Sequence, residues 1–206
     1  MTEWKVDIIS MSFGWPTRSI PGFSELQAAI NTASEQNVIM FAAASNSGGR
    51  QGRAYPASSP KVICVHSTDV NGGRSSFSPT ASPDRINLAT VGESIQSAWP
   101  ESFCDDSNPE CVKYKSGTSY ATPIAAGIGA FLMQYARLHL TADAAEMMKQ
   151  QDRMEAVLKR IAERGLSYRP RDDYYYIELS RSPANLFGKE KKFVDLTIED
   201  ILMNMN

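Results

Sequence analysis

The first third of the chain carries three short, largely apolar runs. Val6–Phe13, Val38–Ala44 and Val62–Val65 lack a clear alternation of polar and apolar positions, as strands buried on both faces do. Between the first two, Leu26, Ala29, Ile30 and Ala33 recur at helical spacing. This predicts a helix over about Glu25–Gln36, with Ser24 as its cap. Strand, helix and strand in that order predict an α/β fold, a parallel sheet flanked by helices. Ligands of such sheets sit beyond the carboxyl ends of the strands, which is where the polar loop Ser45–Gly49 begins.

Further along, Asn71-Gly72-Gly73 predicts a turn, and the chain is loop-rich up to Lys115, with Ser94–Ser97 as a short strand candidate. Ile124–Leu132 is apolar all round and rich in small residues, which predicts a helix buried in the core, with Pro123 in its first turn. A second, charged and amphipathic helix is expected over Ala142–Arg164, ended by Gly165. Residues 1–166 are expected to form one domain portion and 167–206 a C-terminal extension. In that extension Tyr174–Tyr176 fits an edge strand, and Lys189–Lys192 fits a solvated face.

Charge and composition narrow the function. A net charge of -2 over 206 residues provides no basic field, so no nucleic-acid or anionic-membrane partner is expected. No apolar run is long enough to span a bilayer, and Met1–Asp7 does not resemble the core of a signal peptide, so an intracellular location is expected. Cys64 lies in an apolar run and fits a core position. Cys104 and Cys111 flank an acidic loop and could pair if oxidised. His66 and His139 have no zinc spacing, so neither metal nor cofactor is expected. Gly48–Gly52 matches neither the dinucleotide fingerprint nor the P-loop. Asp105, Asp106 and Glu110 fit a solvated loop better than paired catalytic carboxylates.

The chemistry concentrates at Ser116–Pro123. A serine between a glycine-bearing turn and a buried helix has an exposed hydroxyl, and the free amides of the helix start suit an oxyanion. Taken alone, Thr118 or Ser119 would be an N-cap. The full string Gly117-Thr118-Ser119-Tyr120-Ala121-Thr122-Pro123, however, resembles the serine motif of the subtilisin-like peptidases. Asp7–Gly14 resembles that family's substrate-flanking strand, and Ala43-Ala44-Ser45-Asn46 resembles the strand end that presents its oxyanion asparagine. Tyr55-Pro56, Arg74–Ser78 and Gly92–Ile95 follow in the family's order. The resemblance runs from about Asp7 to Leu132, and more loosely to Arg164.

The resemblance implies a serine endopeptidase acting on polypeptides through an acyl-enzyme on Ser119. Asn46 would donate to the oxyanion together with the Ser119 amide. Ser12, Phe13 and Gly14 would pair with the substrate backbone, and Ala43, Ala44 and Ser45 would wall the pocket before the cut. Three departures stand out: Ile124 replaces a common histidine, Trp15 replaces a small residue and would narrow the cleft, and Asn87 replaces a cation-holding aspartate. The family's order is aspartate, histidine, serine, and the first two are expected before Val6. His139 is twenty residues along a helix from Ser119, and His66 fits a structural role with a small chance of lining the cleft. Acid and base are therefore expected from an upstream segment or partner, leaving the isolated chain inactive. The alternative is a non-catalytic pseudopeptidase that keeps the peptide groove.

Overall fold

The computed structural model describes residues 4–104, 108–163 and 172–204. The three apolar runs form parallel strands β1 (Ile8–Met11), β2 (Ile39–Ala43) and β3 (Ile63–Thr68). The sheet continues through β4 (Leu88–Val91) to Tyr175–Tyr176, giving the order β1-β2-β3-β4 and then that last strand, all parallel. Ile8 lies opposite Ile39, Phe41 opposite Ile63, and Val65 opposite Leu88. A separate antiparallel hairpin pairs β5 (Ile95–Ala98) with β6 (Val112–Lys115); Tyr175–Tyr176 is thus β7.

Alternate residues of β2 and the start of β3 face two cores, which is why their runs show no polar alternation. Ile39, Phe41, Ile63, Val65 and Leu88 face the core made with α2 (Thr118–His139), α4 (Gln151–Ala162) and α5 (Lys191–Asn204). Met40, Ala42, Val62 and Cys64 face a smaller core closed by α1 (Phe23–Glu35). Cys64 is buried, as its apolar setting predicts, and burial pushes its thiol up to about 12. Cys104 and Cys111 are joined in a disulfide.

Several expectations need correction. Ser24 does not cap α1; the helix starts from Gly22 in a left-handed conformation, and the Ser24 hydroxyl bonds Glu25. The single helix expected over Ala142–Arg164 is two. A short α3 (Ala142–Met147) is capped by the Thr141 hydroxyl, and α4 starts again at Gln151. The expected stop at Arg164–Gly165, like Asp105 and Asp106, lies outside the described residues.

α2 begins six residues earlier than expected, so Pro123 sits inside it. Nor is α2 buried all round. Ala121, Ala125, Leu132 and Ala136 are fully buried, whereas Pro123, Gly127 and Ala130 are exposed, with Phe131 at 41% and Leu138 at 65%. Residues beyond 167 share the main core: Ile177, Val194, Ile198 and Leu202 are buried within it. Among the described residues no helix is long and apolar enough to cross a membrane.

Candidate active site

The carboxyl ends of β1 and β2 and the N-terminus of α2 converge on one cleft of about 370 Å³. Ser12, Phe13 and Gly14 form one side, Ala43, Ser45 and Asn46 the other, and Thr118 and Ser119 close the end. These are the residues singled out from the sequence, with one exception. Ala44 is fully buried behind the wall, its amide on the Val65 carbonyl and its own carbonyl on the Ala54 amide. Pro16, Ser47 and Ala54 also line the cleft and had no signal in the sequence.

The wall is shut by a backbone bridge. The Trp15 and Tyr55 amides each donate to the other's carbonyl at 2.8 Å. A Cβ on Gly14 would lie 2.9 Å from Ala54 Cβ, so glycine permits this approach. Trp15 does not narrow the cleft. Its indole packs edge-on against Phe13, with centroids 5.5 Å apart, outside the lining.

Asn46 is oriented by the start of α2. Its Oδ1 accepts the Thr118 amide at 2.9 Å and the Thr118 hydroxyl at 3.0 Å. A backbone amide can only donate, so the oxygen must face Thr118 and Nδ2 is left as the donor. Gly117 makes room for this: a Cβ there would lie 3.1 Å from Asn46 Nδ2. Among the described residues no acceptor takes the Ser119 amide, in keeping with a helix start that leaves its first amides free.

Ser119 is tied reciprocally to Ser12. The Ser119 hydroxyl donates to the Ser12 carbonyl at 3.2 Å, and the Ser12 hydroxyl donates to the Ser119 carbonyl at 2.8 Å. Pro123 explains the second bond. It stands four residues on, where an amide would normally bond the Ser119 carbonyl, and proline has none.

Neither described histidine reaches Ser119. His66 is fully buried in β3, its ring nitrogens near Ser78 Oγ at 3.3 Å and Cys64 Sγ at 3.6 Å. Burial first, then Arg53, pushes its pKa down to about 3, so the ring is a neutral core group. His139 ends the continuous α2, about 30 Å from Ser119 at 1.5 Å per residue. Asn87 accepts from Arg53 Nη2 at 2.6 Å and from the Ser82 amide at 2.8 Å, and its own amide donates to the Ser82 and Arg85 carbonyls. Among the described residues no cluster of His, Cys, Asp or Glu could hold a metal.

A parallel α/β sheet with a serine at a helix start, beside an oriented amide donor, is an arrangement compatible with an acyl-transfer site. The chain matches the subtilase family over residues 1–176, and it belongs to that family of serine peptidases. It is 36% identical over 136 residues to a thermostable alkaline protease of Halalkalibacterium halodurans, covering 63% of this chain and 33% of that protein. Subtilisin DY of Bacillus licheniformis is 33% identical over 135 residues, covering 64% and 44%. The chain thus spans less than half the length of these relatives.

Two solved structures share the fold. The prenylagaramide maturation protease PagA superposes with a TM-score of 0.64 at 24% identity, over 86% of this chain and 61% of that one. The self-cleaved protease domain of PatA gives 0.58 at 29% identity, over 72% and 53%.

Proposed function

We propose that residues 1–206 supply the nucleophile and oxyanion half of a serine endopeptidase, and that acid and base come from a segment outside them. The observation that carries this reading is the meeting of the Ser119 hydroxyl, the Ser119 amide and the Asn46 amide at one end of one cleft. An extended substrate would pair with Ser12–Gly14, its side chain entering the cleft, which no charged side chain lines. The supplied base takes the Ser119 proton as Oγ attacks the scissile carbonyl. The carbonyl oxygen gains charge facing Asn46 Nδ2 and the Ser119 amide. The base then hands its proton to the leaving amine, and water hydrolyses the acyl-enzyme. The incoming segment has a seat in the open edge of β1 and the exposed face of α2.

A second reading is a peptide-binding groove without cleavage. It is favoured by the Ser119 hydroxyl being bound to the Ser12 carbonyl and not to an imidazole. Steady-state cleavage of an unstructured peptide, by this chain extended with its upstream segment, separates the two. A peptidase loses cleavage in Ser119→Ala and still binds a non-cleavable analogue. A binding groove shows no cleavage above buffer and weakens only when Phe13 or Gly14 is changed.

A further inference from the structure

Behind the cleft wall the chain borders a second cavity, of about 360 Å³. Two guanidinium groups, Arg53 and Arg85, and three hydroxyl residues, Ser58, Thr80 and Ser82, line it, and no carboxylate does. Arg53 Nη2 donates to the Ile86 carbonyl at 3.0 Å and to Asn87 Oδ1 at 2.6 Å, which fixes the guanidinium in place. Its Nε is buried with no acceptor and out of reach of solvent, so the cavity-facing donors are the remaining guanidinium groups and hydroxyls. Among the described residues the Arg85 side chain and the Ser58 and Ser82 hydroxyls have no hydrogen-bond partner, so each is free to donate. Glu155 lies close enough to feel both arginines; burial raises its carboxyl to about 7, so at pH 7.5 it is largely ionised and offsets part of their charge without lining the cavity.

Convergent guanidinium and hydroxyl donors in a concave, carboxylate-free site suit a tetrahedral oxyanion, which accepts several hydrogen bonds at once. The cavity also touches the cleft through the chain itself. Arg53 is followed by Ala54, which lines the cleft and donates its amide to the Ala44 carbonyl at 2.7 Å. The Thr80 hydroxyl holds the Gly49 carbonyl at 3.1 Å, in the same loop that carries Asn46.

We propose that this cavity binds phosphate, either as the free ion or as the phosphate group of a small monoester, and that its occupancy steadies the loop Asn46–Pro56. Neither Ser119 nor a base takes part, so the proposal stands apart from the peptidase reading. Inorganic phosphate is titrated into this chain at pH 7.5 and constant ionic strength, followed by ³¹P line width, with O-phosphoserine as a second arm. Saturable binding with a dissociation constant below about 10 mM is expected, weakened at least tenfold in Arg85→Gln and largely kept in Arg85→Lys. Arg85 makes no side-chain hydrogen bond among the described residues, so both variants should fold.

Tighter binding of O-phosphoserine assigns the site to monoesters, and equal or weaker binding assigns it to the free ion. No saturation, or unchanged binding in Arg85→Gln, overturns the site. Amide exchange over Ser47–Ala54 should slow several-fold on saturation. Unchanged exchange with intact binding overturns the link to the cleft.

Discussion

The two edges of the sheet end differently. On the β4 side the chain closes its own edge. Tyr175–Tyr176 pairs with Leu88–Ala89, Tyr174 packs edge-on against His66, and α4 and α5 bury Val157, Ile161, Val194 and Ile198. On the β1 side nothing in the described residues covers the edge, Ile8 and Ile9 stay half-buried, and the near face of α2 is apolar yet exposed. A sheet edge that is flat and apolar invites another strand. One half of this fold is therefore finished by its own sequence. The other, which carries Ser119, leaves an edge strand and apolar residues of α2 exposed among the described residues.

The largest effect expected on the unfinished side is catalytic. In the domain extended upstream, Asn46→Ala should lower turnover by about 10²–10³, the size already established for an oxyanion asparagine in a subtilisin, with little change in substrate affinity. Weakened affinity with turnover unchanged would assign Asn46 to ordinary binding.

The finished side should show itself in acid. His66 has a folded pKa near 3 against 6.5 when free, so between those values the unfolded chain takes up the extra proton. Its contribution to stability is complete above about pH 6.5 and falls by about 1.4 kcal/mol per pH unit below it. Urea midpoints at pH 7 and 5 should show this slope flattened in His66→Gln. An unchanged slope would mean that His66 is not the group responsible.

Two smaller tests concern the open edge and the cleft loop. Ser10, exposed in β1, sits where a lysine would oppose strand addition. Residues 1–206 are expected to self-associate, and Ser10→Lys should shift a sedimentation profile several-fold toward monomer. A wild-type chain that is monomeric and unfolds cooperatively would contradict the comparison. Ser45 holds φ at 144°, a region that favours glycine. Ser45→Gly should stabilise by about 1 kcal/mol, a rise of about 2–4 °C in Tm. A fall in Tm would show that the Ser45 hydroxyl, which bonds Ser47, matters more than the strain.

How far these features could be read from sequence depended on how local their causes are. β2 and β3 were legible because burial on both faces leaves an unbroken apolar run. β4 was not, since Leu88–Val91 is only four residues long and follows buried Asn87, which looks polar but is satisfied by Arg53 and Ser82. The break between α3 and α4 falls at Met148–Gln150, where no glycine or proline marks it. Ser119 and Asn46 are seventy-three positions apart, and only the family resemblance joined them. The Thr118 clamp on Asn46 left no trace in spacing. The freed Ser119 carbonyl did leave one, in Pro123 four residues downstream.

If Ser119 is a nucleophile whose base lies outside residues 1–206, a fluorophosphonate probe should label residues 1–206 alone slowly or not at all. Rapid stoichiometric labelling at Ser119 is expected once an upstream segment is present, and is lost in Ser119→Ala. Rapid labelling of residues 1–206 alone, or none in the extended domain, would contradict that role for Ser119.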